Sequence, residues 1–172
     1  MKRRDVTDRA VAYHEAGHAV AAFKQGIGIR RISIMAEAGR DGFVHHAPVM
    51  GRYRPDWDNS PQVRVRGERV IRICLAGPAA QRKFNPRTYR HWHAQGDFEQ
   101  AAVMMSYLAA PGEHERAYMR LLKIETRRLV EHNWKLIGAL ANELIRRRKM
   151  SGAETMAFIR NWYASEAPPH RS

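Results

Sequence analysis

The sequence predicts a mainly α domain that carries one small β-hairpin next to its first helix. Most segments of the 172-residue chain repeat apolar residues at helical spacing, and one short region alternates apolar and polar residues as a strand does. The composition, 44% hydrophobic and 27% charged, is typical of a folded globular protein. We therefore expect a single domain over residues 1–172, with a core at about 5–164 and a frayed tail at 167–172.

The first part of the chain predicts a helix followed by the hairpin. The helix runs to about Gln25, where glycines end it. Residues 29–35 then alternate apolar and polar side chains, and residues 43–45 follow a glycine-containing turn, which is typical of a hairpin. Within the helix, Tyr13 and Gly17 are expected to serve packing against another element. Three residues at its start are candidate N-caps: Asp5, Thr7 and Asp8.

A second helix is expected after a loop at 47–61 that is rich in proline and glycine. Ser60 followed by Pro61 is typical of an N-cap and a first helical residue. The buried face of this helix includes Cys74, a small apolar residue. The pair Gly77-Pro78 is expected to break or kink the helix.

The last part of the chain predicts helices separated by short breaks. An irregular stretch at 85–96 precedes helical patterns at 97–110, 113–131 and 133–148. Ser151 and Glu154 stand at capping-box spacing, which predicts the start of a last helix of about 13 residues.

The cysteine content and the apolar runs limit the class of protein. A single cysteine excludes an intramolecular disulfide and a cysteine-rich zinc site. No apolar run approaches the roughly 18 residues that cross a bilayer, and no apolar stretch follows the basic start of the chain. We therefore expect a cytoplasmic protein without membrane contact.

The strong positive charge raises nucleic acid as a partner. Thirty Lys and Arg against 17 Asp and Glu give a net charge of +13 and a pI near 10.7. These residues are spread over several segments, and no helix-turn-helix, zinc-finger or RNA-recognition signature accompanies them. We therefore favour a solubilising basic surface and leave nucleic-acid binding open. Four of the arginines would be distributed over a wide arc of the second helix and would not share one narrow face: Arg64, Arg66, Arg69 and Arg72.

The segment His14-Glu15-Ala16-Gly17-His18 carries the clearest chemical signal. Histidines four positions apart lie on one helical face, about one 5.4 Å turn from each other, so two imidazoles can bind one metal ion. Glu15 stands beside the first histidine, where its carboxylate can reach a metal-bound water without ligating the metal. The sequence therefore predicts a zinc site on the first helix, with Glu15 beside the metal-bound water. The alternative is a pair of ordinary helix histidines that pack or face solvent.

Such a site needs a third protein ligand from elsewhere in the chain. The extended pattern, with Gly three and His six residues after the second histidine, is absent because Ala21 and Lys24 occupy those places. Asp97 is attractive because it follows Gly96 at a predicted helix start, where the backbone holds a side chain rigidly. The pair His45-His46 is expected on the surface. The candidates for the third ligand are Glu68, His91, His93, Asp97 and Glu99.

The chain resembles the peptidase domain of the FtsH-type zinc metalloproteases. Residues 12–19, AYHEAGHA, are similar to the family's zinc helix, and residues 32–34 and 42–44 to its strand segment. Residues 75–80 resemble its Gly-Gly-Arg-Ala-Ala region, residues 96–101 the stretch that supplies an aspartate ligand, and residues 129–159 its C-terminal helices. The resemblance implies a zincin-like helical peptidase domain with a hairpin next to the zinc helix. It also implies Zn²⁺ held by His14, His18 and Asp97, with Glu15 as general base.

The chain departs from this family in two respects. Relatives carry an AAA+ ATPase and membrane anchors before the peptidase domain, whereas this sequence contains neither and has no phosphate loop. Relatives usually read Arg-Ala-Ala-Glu-Glu where this chain reads PAAQR at 78–82, so an acidic contact is lost.

The function expected from these features is a zinc-dependent endopeptidase that acts on flexible or unfolded protein segments. It would work without ATP or with a separate ATPase partner, and homo-oligomers remain open. Ile32, Ser33 and Ile34 are expected to form an edge strand that binds extended substrate through main-chain hydrogen bonds. The alternatives are an inactive module that binds an acidic protein or nucleic acid, and a protease specific for one regulator.

Overall fold

A computed structural model of the protein describes residues 3–35, 42–87, 89 and 94–166, with side chains from residue 7 onward. The chain is mainly helical, with a small antiparallel sheet, as the sequence predicts. The predicted tail at 167–172, His91 and His93 lie outside the described residues. The elements in chain order are α1 (Arg3–Lys24), β1 (Ile29–Ser33), β2 (Phe43–His46), α2 (Pro61–Phe84), α3 (Gln95–Leu108), α4 (Glu113–His132), α5 (Trp134–Arg147), β3 (Lys149–Ser151) and α6 (Gly152–Glu166).

Helix α1 lies at the centre of the fold and is buried on all sides from residue 14 to residue 22. Small side chains allow this, because neighbouring elements can approach a helix of Ala and Gly closely. A Cβ at Gly17 would lie 2.7 Å from the carbonyl oxygen of Ala76 in α2, so this glycine serves close packing, as predicted. Tyr13 stacks on Phe84, with ring centroids 4.0 Å apart.

The predicted N-caps of α1 are wrong. The helix already begins at Arg3, so Asp5, Thr7 and Asp8 lie within it. Asp8 instead accepts a hydrogen bond of 2.6 Å from the guanidinium of Arg148, at the far end of α5. A tertiary ion pair therefore uses the side chain that the local sequence pattern assigned to a cap.

The sheet has the order β2-β1-β3, and both strand pairs are antiparallel. The β1–β2 hairpin is confirmed, whereas β3 was not predicted. Ile32 pairs with Val44 on one side and Met150 on the other, and the amide of Ile34 donates to the carbonyl of Arg148. The prediction that Ile32, Ser33 and Ile34 form an edge strand is therefore wrong, because β3 pairs with the edge that substrate would have used.

Helix α2 begins as the sequence predicts and continues further. The hydroxyl of Ser60 accepts a hydrogen bond from the amide of Val63, and Pro61 is the first helical residue. The helix runs unbroken past Pro78 to Phe84, so the predicted break is wrong. Most side chains from residue 73 to residue 81 are buried, and this packing holds the helix together across the missing proline N–H.

The remaining helices follow the predicted order with shifted ends. Helix α3 begins at Gln95, two residues earlier than predicted, while the predicted bounds of α4 and α5 hold to within one residue. At the start of α6, Glu154 accepts from the amide of Ser151 at 2.8 Å, and Ser151 accepts from the amide of Glu154 at 3.2 Å. This is the predicted capping box.

Among the described helices, none has the length and apolar character needed to span a membrane.

Candidate metal centre

Two histidines on α1 face the middle of α2. His14 and His18 are one helical turn apart and both buried, and their rings meet edge to face with centroids 4.7 Å apart. His18 packs directly on the backbone of Gly77, where a Cβ would lie only 2.3 Å from the Nε2 atom. The glycine in α2 therefore makes the space that the second imidazole occupies.

Asp97 in the first turn of α3 completes a cluster with the two histidines. Its Oδ2 atom lies 3.0 Å from Nε2 of His14, and its Oδ1 atom lies 3.3 Å from Nε2 of His18. The two Nε2 atoms are themselves 3.0 Å apart. Asp97 is the third residue of α3 and not its N-cap, which is Ala94. A carboxylate in the first turn is still favoured by the partial positive charge of the helix N-terminus.

The outer nitrogens of both rings are held by acceptors. The Nδ1 atom of His18 donates to the carbonyl oxygen of Ile73 at 2.7 Å, and the Nδ1 atom of His14 donates to Oε1 of Gln81 at 3.0 Å. A carbonyl oxygen can only accept, so Nδ1 of His18 must carry a proton. In the neutral rings the lone pairs are therefore on the Nε2 atoms, which face Asp97.

The spacing of these atoms suits a tetrahedral ion. Metal–nitrogen and metal–oxygen bonds of about 2.0–2.2 Å at tetrahedral angles place neighbouring ligand atoms about 3.3 Å apart. The three separations in the cluster are 3.0, 3.0 and 3.3 Å. The two distances to Asp97 involve its two carboxylate oxygens, one facing each histidine. One ligand atom from each of the three residues lies within 4.8 Å of the others, so together they could hold a metal ion.

The pKa values of the cluster reflect its concentrated charge. Burial lowers the pKa of His18, but the charge and hydrogen bond of Asp97, aided by the charge of Glu15, raise it to about 9. Burial acts to raise the pKa of Asp97, and the two histidines outweigh this effect and hold it well below its usual range. Without a metal ion, His18 is therefore protonated at neutral pH, and its positive charge balances the Asp97 carboxylate.

Comparison with protein-family models and with curated proteins gave no match for this chain.

Glu15 is buried beside the cluster without being one of its three ligand residues. Gly42, the residue before β2, lies close to this side chain: a Cβ added at Gly42 would be 2.9 Å from Oε1 of Glu15. The same Cβ would lie 2.6 Å from a methyl group of Val11. Glycine at position 42 therefore allows the hairpin to close over the carboxylate.

Two other predicted ligand candidates lie elsewhere. Glu68 accepts hydrogen bonds from Arg72 and from the hydroxyl of Tyr118, on the α4 side of α2. Glu99 is exposed and accepts from Gln95. His91 and His93 are outside the described residues.

The thiol of Cys74 is near the cluster but is not part of it. Burial, reinforced by the negative charge of Asp97, raises its pKa to about 12, so it remains protonated at neutral pH. It donates to Oε1 of Gln100 at 3.4 Å. Cys74 is therefore a buried packing residue, as predicted.

Sequence reasoning missed three residues that shape the cluster. From the sequence, Gln81 indicates only a lost acidic contact, whereas in the structure its amide oxygen accepts a hydrogen bond from His14. The positions of Ile73, Gly77 and Gln81 provide a signal that could have found them: they repeat every four residues, so they share one face of α2. Gly77 lies within the stretch 73–80, which has no polar side chain, and Gln81 is the first polar residue after it.

Proposed function

We propose that the protein is a zinc-dependent metalloendopeptidase. The observation that carries this proposal is the convergence of two Nε2 atoms and one carboxylate within 3.3 Å of each other, with a buried glutamate beside them. Three protein ligands and a fourth position for water are typical of catalytic zinc sites, whereas structural sites use four protein ligands.

The donor set is compatible with zinc, and the resemblance to the FtsH-type peptidases favours zinc over other late transition metals. Imidazole nitrogens combined with one carboxylate oxygen are borderline ligands, which suit zinc and other late transition metals more than calcium or magnesium. The acceptors on Gln81 and Ile73 hold both rings with Nε2 facing inward. Such outer contacts orient ligating histidines and raise their basicity.

In the proposed mechanism, His14, His18 and Asp97 would hold a zinc ion, which would lower the pKa of a bound water and polarise the peptide carbonyl. The carboxylate of Glu15 would accept a proton from the attacking water as general base. Glu15 then passes that proton to the nitrogen of the departing amine as the C–N bond breaks. Its burial keeps bulk water from competing for the proton.

The resemblance to FtsH-type peptidases supports the proposal. His14, Glu15, His18 and Asp97 are the residues to which that resemblance assigns the zinc and the proton transfer. A zincin-like arrangement, in which the metal helix packs beside a small sheet, also agrees with α1 lying next to β1 and β2.

Because β1 is the central strand of the sheet, extended substrate would have to bind at another strand. β1 is paired on both sides, so within the described residues the free edges belong to β2 and β3. Gly42, which contacts Glu15, immediately precedes β2. We therefore assign extended substrate to the outer edge of Phe43–His46, where main-chain groups are available for pairing.

The test compares the wild-type protein with Glu15→Gln. Zinc content is measured on the purified proteins, and cleavage is followed with a fluorogenic peptide library and an unfolded protein substrate. Because Glu15 is not a ligand, the variant should retain about one zinc per chain and lose cleavage by about 100-fold or more. An Asp97→Ala variant should lose both.

Equal cleavage by wild type and Glu15→Gln would remove the proposed base. Stoichiometric zinc without cleavage of any substrate would refute the peptidase and leave a zinc-bearing interaction module.

A further inference from the structure

A cleft of about 950 Å³ lies between α2, α3 and α4. Its floor is apolar, whereas six basic and two acidic side chains contribute to its lining. The floor is formed in part by Leu75, Phe98, Ala101, Met119 and Val130. The cleft thus combines a hydrophobic surface with a strong excess of positive charge.

The basic residues of one wall form a regular stripe along α4. Arg116, Arg120, Lys123 and Arg127 recur at i, i+4, i+7 and i+11, so they share one helical face. All four are exposed, and in the described part of the chain none of them forms a salt bridge. The stripe therefore lacks the internal neutralisation that a structural charge cluster has.

The other arginines of this region behave differently. Arg72 on α2 pairs with Glu68 and Glu125, each at 2.8 Å. Arg66 donates to the carbonyl oxygen of Val49 at 2.8 Å. Arg66 and Arg72 therefore bind partners within the protein, whereas the four basic residues of the stripe on α4 face the cleft without an ion-pair partner among the described residues.

The cleft and the metal cluster use opposite faces of α2. Gly77 contacts His18, and at 100° per residue Leu75 and Ala79 project about 160° away from it. The cleft is therefore not an extension of the metal site, and its ligand need not be the substrate of that site.

We propose that this cleft binds an acidic amphipathic helix of a partner protein. The lining residues of α4 extend from Glu115 to Glu131, which is about 24 Å of helix and matches about four turns of a bound helix. Apolar residues at i, i+3, i+4 and i+7 of such a helix would cover the floor, and flanking Asp and Glu would pair with the stripe.

The positive charge of the protein and the apolar floor of the cleft argue against two other ligands, a second copy of this chain and a nucleic acid. A second copy of this chain carries the same +13 net charge and would be repelled. A nucleic-acid duplex would neutralise the stripe but would leave the apolar floor uncovered, because its bases are stacked inside and its phosphates contribute no hydrophobic surface. Single-stranded nucleic acid is distinguished by the experiment below.

The experiment uses the 172-residue chain and a fluorescein-labelled peptide of about 18 residues, with Leu at i, i+3, i+4 and i+7 and Glu elsewhere. A scrambled peptide of identical composition, without an apolar face, is the matched ligand. Binding is measured by fluorescence anisotropy at low and high salt. We expect the amphipathic peptide to bind at least 10-fold more tightly than the scrambled one.

Two pairs of variants locate the binding. Arg120→Glu with Lys123→Glu should weaken binding by about 10-fold or more, whereas Arg128→Glu with Arg160→Glu, which reverses two exposed charges outside the cleft, should change it by less than about 3-fold. Ala102→Trp should fill the cleft and abolish binding without altering charge. Val103→Trp, at a 57% exposed position outside the lining, is its control.

The proposal is overturned if the scrambled peptide binds as well as the amphipathic one, or if the control charge pair weakens binding as much as the cleft pair. It is also overturned if a single-stranded 20-mer DNA depends on the cleft variants while the peptide does not. Binding should be the same with and without a zinc chelator. A protein that binds the peptide but cleaves nothing would thus refute the peptidase and leave this proposal standing.

Discussion

Replacing Gly77 by alanine should strongly weaken metal binding while leaving the fold in place. The glycine is in the middle of α2, and His18 lies against its Cα. An added Cβ would be 2.3 Å from Nε2 of His18, the atom that faces the other two ligand atoms. A single methyl group therefore occupies space that the metal ligand needs.

The magnitude follows from this distance. Ordinary van der Waals contact begins at 3.4 Å, so the imidazole must retreat by about 1 Å. Metal–ligand bond lengths tolerate only about 0.2 Å, and Nδ1 of His18 is fixed by its 2.7 Å bond to Ile73. Moving the ring therefore costs either this hydrogen bond or the ligand, and we expect metal affinity to fall about 100-fold or more.

The matched control is Gly96→Ala. Gly96 is also helical, directly precedes Asp97, and has no atom within 4 Å of an added Cβ. Alanine favours the helix at both positions, by about 1 kcal/mol in the interior at position 77 and by less in the first turn at position 96. Neither gain would lower zinc affinity, so the comparison identifies the steric effect at position 77. Zinc affinity is measured by competition with a chromophoric chelator, and folding by circular dichroism. If Gly77→Ala binds zinc within about 3-fold of wild type and of Gly96→Ala, the geometry of the cluster described above is wrong.

Three further predictions concern the outer contacts, the protons and the core. Gln81→Leu removes the hydrogen-bond acceptor of His14 and should weaken zinc binding by about 10- to 100-fold, whereas Gln81→Glu keeps an acceptor and should bind zinc as tightly as wild type. Competition with a chelator measures both affinities, and equal values for the two variants would contradict the contact between Gln81 and His14. Because the pKa of His18 is raised to about 9, zinc must displace a proton below that pH, so the apparent affinity should rise about tenfold per pH unit from 7 to 9 and then level off; a flat profile would contradict this. Leu140→Ala, at a fully buried position of α5, should cost about 2–5 kcal/mol of unfolding free energy in urea, whereas Leu121→Ala, which is 49% exposed, should cost less than about 1 kcal/mol.

Signals carried by a few neighbouring residues predicted much of the fold. Ser60 with Pro61, and Ser151 with Glu154, act through hydrogen bonds within one turn, so their geometry is written in the local sequence. The hairpin is similarly local. At the site, the spacing of His14 and His18 follows from the pitch of one helix, which explains why this part of the cluster could be predicted.

Features that depend on distant contacts could not be predicted in this way. β3 has only three residues and becomes a strand because it pairs with β1, more than 110 positions earlier. Pro78 stays inside α2 because of packing on the rest of the protein, which overrides its local preference. The position of Asp97 opposite the histidines was reached through the family resemblance, since spacing alone left five candidates open.

Strand β3 and the residue before it connect the C-terminal part of the chain to α1 and β1. Arg148 reaches Asp8 in α1, and the next three residues complete the sheet that flanks the helix with both histidines. The three candidate ligand residues all lie within the first 97 positions, whereas the ion pair to α1 and the third strand of the sheet come from residues 148–151. A chain cut before residue 148 would therefore keep all three ligand residues and lose both of these long-range contacts.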